Sequence, residues 1–508
     1  MTMRRKVLYT LLGIPFAIAV FSPAAVAAVP CESLLSLSVP NTTITSAKTV
    51  AKGAFVPPGG PGNQAAAFKD LPAFCRLTAT LKPSSDSDIK MEVWMPVTGW
   101  NGNFQPRGTA GMGGSIPLAA MGGELKEGYA TAGSDTGHVG DSRYVLDHPE
   151  KVTDFEYRSA HELNVRGKAI IAAYYGEGAK LSFIDGCGGG AFMAQNAMQR
   201  YPADYNGITI TGFSHKTRHA IWQQWVWDAT HKDAASNLPK EKLEILHNAA
   251  LNACDALDGV KNGEIENPTV CKFDPKVTEC RPGAATASCL TPPQVEAARK
   301  IYAGPTNPRT GQAIYYPPMP GSELAWAAMA GPEPFGLSVD FLKYFVFKDG
   351  NWDPKAHVFN YDSHVALAEN PLALRANANN PDIGEFVKRG GKLLLYEGWS
   401  DHFTLPGIAI DYYKRVVEKI GPAAAKDSVR LFMVPAMTHC EDRGEFDMVG
   451  ELENWIKTKK APDQIIGRRV WELNKVAGTR LLCPYPQVAT YKGSGNTDAA
   501  ANYTCKAQ

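Results

Sequence analysis

The chain has 508 residues, 44% of them apolar and 20% charged, which is enough for a large buried core and for one domain carrying a second inserted into it. Its 52 basic and 51 acidic residues leave a formal net charge of +1, with no long run of one sign. That balance argues against nucleic acid or an anionic membrane surface as a partner, and favours a small neutral or amphiphilic ligand.

At the N-terminus Arg4-Arg5-Lys6, the apolar run 7–21 and Ala25-Val26-Ala27 have the order of a secretory signal, residues 1–27, with cleavage expected near Ala27. Pro15 and Pro23 interrupt the run, and no other apolar stretch is long enough to span a bilayer, so a secreted or periplasmic protein is expected rather than an anchored one. The ten cysteines (Cys31, Cys75, Cys187, Cys254, Cys271, Cys280, Cys289, Cys440, Cys483 and Cys505) form an even set, as disulfides in an oxidising compartment would require. No CxxC pair or clustered His/Cys spacing points to zinc.

Short β-rich runs at 91–95 and 129–132 are broken by glycine turns. A helix is predicted over 158–175, a strand over 180–184, a helix over 191–200, and further strands over 207–211, 392–396 and 429–434. Strands alternating with helices imply an α/β fold with a largely parallel sheet covered on both faces. Between 214 and 384 the alternation lapses and the chain turns rich in Trp, Pro and Cys, which reads as a lid domain inserted into a core of residues 30–213 and 385–508. The stretch 481–505 reads as an irregular tail tied back by a disulfide.

Ile184-Asp185-Gly186-Cys187-Gly188-Gly189-Gly190-Ala191 joins a predicted strand to a predicted helix through small residues, the setting of the nucleophile elbow in an α/β-hydrolase. Gly188 stands where the serine belongs, and a glycine cannot attack an ester. Asp401 follows the strand 392–396 and His439 follows the strand 429–434. The order elbow, acid, histidine is that of α/β-hydrolases, in which Asp401 would orient His439. An oxyanion hole needs two backbone N–H donors. Gly189 should supply one, and the loop Gly108-Thr109-Ala110-Gly111 the other, through Thr109. Among the lid aromatics, Trp222, Trp225, Trp227, Phe345 and Trp352 are candidates to sandwich an aromatic ligand ring, although a lid Trp more often packs a core.

With Gly186-Cys187 before the nucleophile position and His439-Cys440 at the base, the chain resembles the tannase/feruloyl esterase family, which includes mono(2-hydroxyethyl) terephthalate hydrolase. Trp100-Asn101-Gly102, Ser134-Asp135-Thr136-Gly137-His138, Gln199-Arg200-Tyr201-Pro202 and Cys483-Pro484-Tyr485-Pro486 extend the likeness over nearly the whole chain. The resemblance implies an α/β-hydrolase fold with a lid, hydrolysis of aryl or phenolic-acid esters, a small aromatic ester as ligand and no organic cofactor. It also implies disulfides joining Cys187 to Cys440, Cys31 to Cys75, Cys254 to Cys271, Cys280 to Cys289 and Cys483 to Cys505, the first of them pinning the base beside the nucleophile position.

The lid segment from Cys254 to Ile265 carries side-chain oxygens at close intervals, with glycines between them. Read alone, it is either an ordinary polar turn or a wrap for a hard cation. The resemblance implies a structural calcium, held by the side chains of Asp255, Asp258 and Asn262 and the backbone carbonyls of Val260 and Glu264. Family members often have an acid where Asn262 stands, so the missing charge should weaken the site.

Relatives read Gly-Cys-Ser-x-Gly-Gly at the elbow, which leaves three readings of Gly188. The chain lacks hydrolytic turnover, as a natural ligand-binding relative or as a variant whose serine was replaced. Alternatively Cys187 attacks as a thiol, which forbids its bond to Cys440. In the third reading His439 activates a water for slow direct hydrolysis.

Overall fold

A computed structural model describes residues 28–60, 65–440, 444–472 and 475–507; the expected signal segment 1–27 lies outside them. Strands β1 (Thr42–Val50), β2 (Phe74–Leu81) and β3 (Ile89–Pro96) pair antiparallel. After the short β4 (Asn103–Phe104), β5 (Thr131–Ser134) pairs antiparallel with β3. β4 opens a second, wholly parallel sheet with β6 (Leu181–Cys187), β7 (Gly207–Thr211), β8 (Lys392–Gly398) and β9 (Val429–Val434), in the order β4-β6-β7-β8-β9. The two sheets meet where Phe104 bridges Ala130.

The burial patterns explain the arrangement. Leu393, Leu394 and Leu395 of β8 are all buried in succession, which requires cover on both faces, as parallel strands demand. The edge strand β1, rich in Thr, buries only Ala47. Between strands lies the helix Ser159–Tyr175, closed by Gly176 at φ +75°, the usual left-handed end. The pairing of Cys187 with Thr211, and of Gly398 with Val434, brings the C-terminal ends of the central strands to one edge of the sheet. Ligands of open α/β sheets bind outside that edge.

The chain leaves the sheet after β7 and returns through the short helix Gly384–Lys388 to β8. The segment between holds the helices Lys216–His231, Lys240–Cys254 and Pro292–Ala303. Trp222, Trp326, Leu342 and Phe345 from this insertion share one apolar cluster with Ile208, Ile210, Leu393 and Leu395 of the sheet.

The C-terminal region is more regular than the irregular tail expected. After β10 (Gly444–Glu445), strands β11 (Ile465–Glu472) and β12 (Lys475–Leu482) form a hairpin, and β13 (Gln487–Tyr491) pairs with β14 (Tyr503–Ala507). The partners of the last pair are separated by the loop 492–502, so no local alternation announces them.

One half-buried charge cluster fastens the start of the parallel sheet. Arg107 pairs with Asp185 of β6 and with Glu124 at 3.1 Å, and Thr209 of β7 donates its hydroxyl to Asp185. Burial pushes the Glu124 carboxyl up to about 7, even though Arg107 opposes the shift. Arg107→Met leaves two carboxylates without their cation, and is expected to lower unfolding free energy by about 3 kcal/mol. A urea titration reads this as a shift of midpoint at unchanged slope. A loss below about 0.5 kcal/mol, the level of an ordinary surface change, would show that water serves both acids equally well.

Candidate active site

β6 passes into the helix Gly189–Arg200 through Gly188, which adopts φ +55° and ψ −104°. That is the strained, sharply reversed backbone that an elbow needs to lift one residue above the sheet. A Cβ on Gly186 would overlap the Gly190 carbonyl, so the strand and helix approach each other only because that position is glycine. At Gly188 itself a Cβ would meet a single side chain, His439, with Nε2 at 3.1 Å and Cε1 at 3.5 Å. The helix starts at Gly189, earlier than the predicted 191, because the packing of the turn overrides the poor helix propensity of glycine.

His439 Nδ1 lies 2.9 Å from Asp401 Oδ2, so the nitrogen that faces position 188 is Nε2. Asp401, 1% exposed, follows β8 and is saturated with donors. Its Oδ1 accepts the amides of Phe403 and Thr404, both at 2.8 Å, and its Oδ2 also accepts the Thr404 hydroxyl at 2.7 Å. Burial works to raise this carboxyl, but the neighbouring His439 outweighs it and holds Asp401 below the usual carboxylate range. The two loops are stitched together: the Trp399 amide donates to the Val434 carbonyl at 2.9 Å, and the Ser400 amide to the Met437 carbonyl at 3.0 Å.

A third fastening is covalent. Cys440, next to His439, is bonded to Cys187, next to Gly188, across 253 residues of sequence. The other bonds are Cys31–Cys75, Cys254–Cys271, Cys280–Cys289 and Cys483–Cys505, and no cysteine is free. The reading in which Cys187 attacks as a thiol is therefore corrected, because its sulfur is already bonded.

Gly189 occupies the first turn of its helix, where an amide has no intrahelical acceptor, and it lines the cavity above the elbow. Thr109 does not fulfil its expected part. Its amide donates to Met193 Sδ at 3.4 Å and it lies outside the cavity wall, whereas Ala110 and Gly111 line it. A glycine-rich loop gives the sequence no means of ranking four consecutive amides.

The cavity measures about 360 Å³ and opens over Gly188, Gly189 and His439. One wall is apolar, formed by Met112, Phe335, Leu337, Phe341 and Phe403. Phe403 stacks on Phe335 at 4.6 Å and meets the His439 ring edge to face at 5.2 Å. The helix Lys216–His231, packed beside the helix Gly336–Phe341, adds Lys216, His219 and Gln223 to the lining. None of Trp222, Trp225, Trp227, Phe345 and Trp352 lines this space. Trp222 donates to the His402 carbonyl at 2.6 Å and Trp225 to that of Lys300 at 2.8 Å, while Trp227 stacks on His231 at 3.6 Å. Phe403 had a local signal in standing two residues after Asp401; Phe335 had none.

Glu397 was also not legible. It is buried at the end of β8, accepts the Phe213 amide at 3.1 Å, and is pushed well above the carboxylate range by burial and then by the charge of Asp401. A neutral Glu397 leaves Asp401 as the charged partner of His439.

The family described as tannase and feruloyl esterase matches residues 75–506 of the chain. The chain belongs to that family. It is 35% identical over 544 residues to an uncharacterized esterase of Xanthomonas campestris, covering 96% of this chain and 93% of that protein. A probable feruloyl esterase B-2 of Neosartorya fischeri is 30% identical over 457 residues, covering 85% and 86%. Among solved structures, feruloyl esterase B from Aspergillus oryzae superposes with a TM-score of 0.85 at 26% identity, over 94% of this chain and 99% of that one. The fold of this family member is that of an α/β-hydrolase.

The loop foreseen for calcium lies at the end of the helix Lys240–Cys254. Asp255 accepts the amides of Asn262 at 3.0 Å and Gly263 at 2.8 Å; Asp258 accepts that of Val260 at 2.9 Å, and Asn262 Oδ1 that of Glu264 at 3.2 Å. Burial, then the charge of Asp255, raises the Asp258 carboxyl. The Glu264 side chain turns to Arg480 and, at 3.4 Å, to Arg469, leaving only its backbone for a ligand within the loop. An all-oxygen set containing two neighbouring acids fits a hard cation.

Proposed function

We propose that this family member carries the binding and base machinery of a carboxylic ester hydrolase for aryl or phenolic-acid esters, with hydrolytic turnover impaired at Gly188. The single observation behind this reading is the Asp401–His439 pair, locked by a disulfide and directed at a position whose Cβ would stand 3.1 Å from Nε2. In the complete reaction a nucleophile at 188 attacks the ester carbonyl and His439 takes its proton. His439 then returns that proton to the leaving alcohol, and water hydrolyses the acyl intermediate by the same base. Gly189 would hold the oxyanion, with a second amide from Ala110 or Gly111 in place of Thr109.

The test has two arms. Calorimetric titration of methyl ferulate into the chain should show binding with at most slow turnover, the behaviour of a ligand-binding relative. Hydrolysis should appear in Gly188→Ser and vanish when His439→Ala is added. If a serine at this position gives no activity that depends on His439, the hydrolase reading is wrong.

Calcium is proposed as a structural ion at Asp255, Asp258 and Asn262 with the carbonyls of Val260 and Glu264, its role being to hold the lid loop against the Arg469 and Arg480 hairpin. Saturating calcium should raise Tm by a few degrees in the unsubstituted chain, as expected when a ligand at about 100 times its Kd adds about 2.7 kcal/mol to a domain of this size. Asp258→Asn should abolish the rise, and an equal rise in both proteins would place the ion elsewhere. A secreted or periplasmic location is proposed as well, on the bonding of every cysteine. No helix of the described residues is long and apolar enough to cross a membrane.

A further inference from the structure

Two acids share one base at the end of β8. Glu397 and Asp401 are each 1% exposed, and among the described residues no lysine or arginine pairs with either. Two carboxylates side by side in a buried site do not both ionise, and the donors around them decide which one does. Asp401 collects four donors, from Phe403, Thr404 twice and His439, all at 2.9 Å or less. Glu397 collects only two amides, of Phe213 at 3.1 Å and of its own neighbour Gly398 at 3.3 Å. Glu397 therefore keeps its proton, and its carboxyl lies within hydrogen-bonding reach of that of Asp401.

The peptide that Glu397 holds has a second duty. The Phe213 N–H and the Gly212 carbonyl belong to one planar unit, and that carbonyl accepts the Gly188 amide at 3.2 Å. Hydrogen bonds in such a chain polarise one another. Glycine at 212, with φ +56°, lets this peptide come so close, because a Cβ there would stand 2.8 Å from His439 Cε1 and 2.9 Å from Cys187 Sγ. The contacts close a ring that runs from Gly188 through the 212–213 peptide, Glu397 and Asp401 to His439, whose Nε2 faces position 188 again.

We propose that Glu397 is a positioning residue of the site: as an undissociated acid it donates to Asp401 while accepting the Phe213 amide, so that one side chain fixes the acid loop and the elbow to each other. This deepens the hydrolase reading and rests on it for the reaction served. A glutamine can replace both bonds, since its NH₂ donates and its carbonyl accepts. A leucine can replace neither.

Infrared and NMR measurements on the unsubstituted chain test the proton without any turnover. The difference spectrum against Glu397→Gln should show the carbonyl band of one undissociated carboxyl at neutral pH. The His439 ring, identified by its loss in His439→Ala, should titrate at the same pH in both proteins. The other titratable groups facing the pair, His402 beside Asp401, His219 of the helix Lys216–His231 and Tyr315 of the insertion, are common to both. An ionised Glu397 would give no such band, and its exchange for a neutral amide would lower the His439 titration by about one pH unit or more. Either result overturns the proposal.

Positioning is read in the Gly188→Ser background. There Glu397→Leu should lower kcat by about 100-fold with KM nearly unchanged, the effect of displacing a reacting group by about 1 Å, and Glu397→Gln should restore most of the rate. A kcat equal to that of the parent in the folded leucine variant would overturn the positioning role. If Glu397→Leu does not fold, the glutamine measurements still decide. If Gly188→Ser hydrolyses nothing, the hydrolase reading falls, and the infrared band and the His439 titration judge Glu397 independently of it.

Discussion

Gly188→Ser is expected to raise ester hydrolysis by about 10⁴- to 10⁶-fold over the unsubstituted chain, the range by which triads fall when their nucleophile is removed. The other parts are in position: Asp401 is buried, charged and fully hydrogen-bonded, His439 is held at 2.9 Å, and Gly189 faces the cavity. A Cβ 3.1 Å from Nε2 is tight, so the imidazole must give by a few tenths of an ångström, which leaves the serine oxygen within reach of its base. The gain carries an opposite effect on stability. A side chain at φ +55° is strained, and both Gly188→Ser and Gly188→Ala should lose about 1–3 kcal/mol in denaturant unfolding. Gly188→Ala is the control that shares the strain and lacks the hydroxyl. If both variants fold and bind a phenolic ester yet Gly188→Ser turns over no faster than Gly188→Ala, the elbow is a binding turn and nothing more.

Removing the Cys187–Cys440 bond should be the second large effect, and it should separate stability from chemistry. Closing 253 residues restricts the unfolded chain by about 5 kcal/mol in the chain-entropy account, and the two short bonds nested inside it leave this figure almost unchanged because the cost grows only with the logarithm of loop length. With an unfolding entropy of about 1 kcal/mol/K for a chain of this size, the Cys187→Ser, Cys440→Ser pair should lower Tm by about 5 °C. In the Gly188→Ser background the same pair should lower kcat by about 100-fold, as a displacement of about 1 Å at a reacting group does. Below the new Tm the fold survives, so the loss of rate reports where His439 sits. A fall in Tm with kcat unchanged would assign the loop position to the Asp401 hydrogen bond and the two backbone bonds that Trp399 and Ser400 make to Val434 and Met437.

Much of this site was legible because its signals are local. A strand, a run of small residues and a helix identify the elbow around Gly188, while Asp401 and His439 each follow a short apolar run of the kind a buried strand has. What escaped depends on residues distant in sequence. Phe335 and Leu337 reach the cavity from the start of the helix Gly336–Phe341, which is too short to show a period, and the β13–β14 pair forms across a loop. The lid tryptophans misled for a physical reason: a large amphipathic ring with one N–H suits a ligand pocket and a core with one spare carbonyl equally well, and Trp222 found the carbonyl of His402. Thr109 failed on backbone direction, which a loop of small residues leaves undetermined.

The cluster shared by the insertion and the sheet has a bearing on how ligands enter. Trp222 touches the sheet's own core and is tied to the residue after Asp401, so swinging the insertion away as a unit would strip cover from β7 and β8 and pull on the acid loop at once. Burial of a single such ring is worth about 2–3 kcal/mol, and several are involved. The insertion therefore behaves as a fixed vault rather than a hinged flap. Ligands must then enter past side chains of the cavity lining that reach solvent, of which Leu337 is 45% exposed, and exchanging that side chain should reset admission by ligand girth without remodelling the vault.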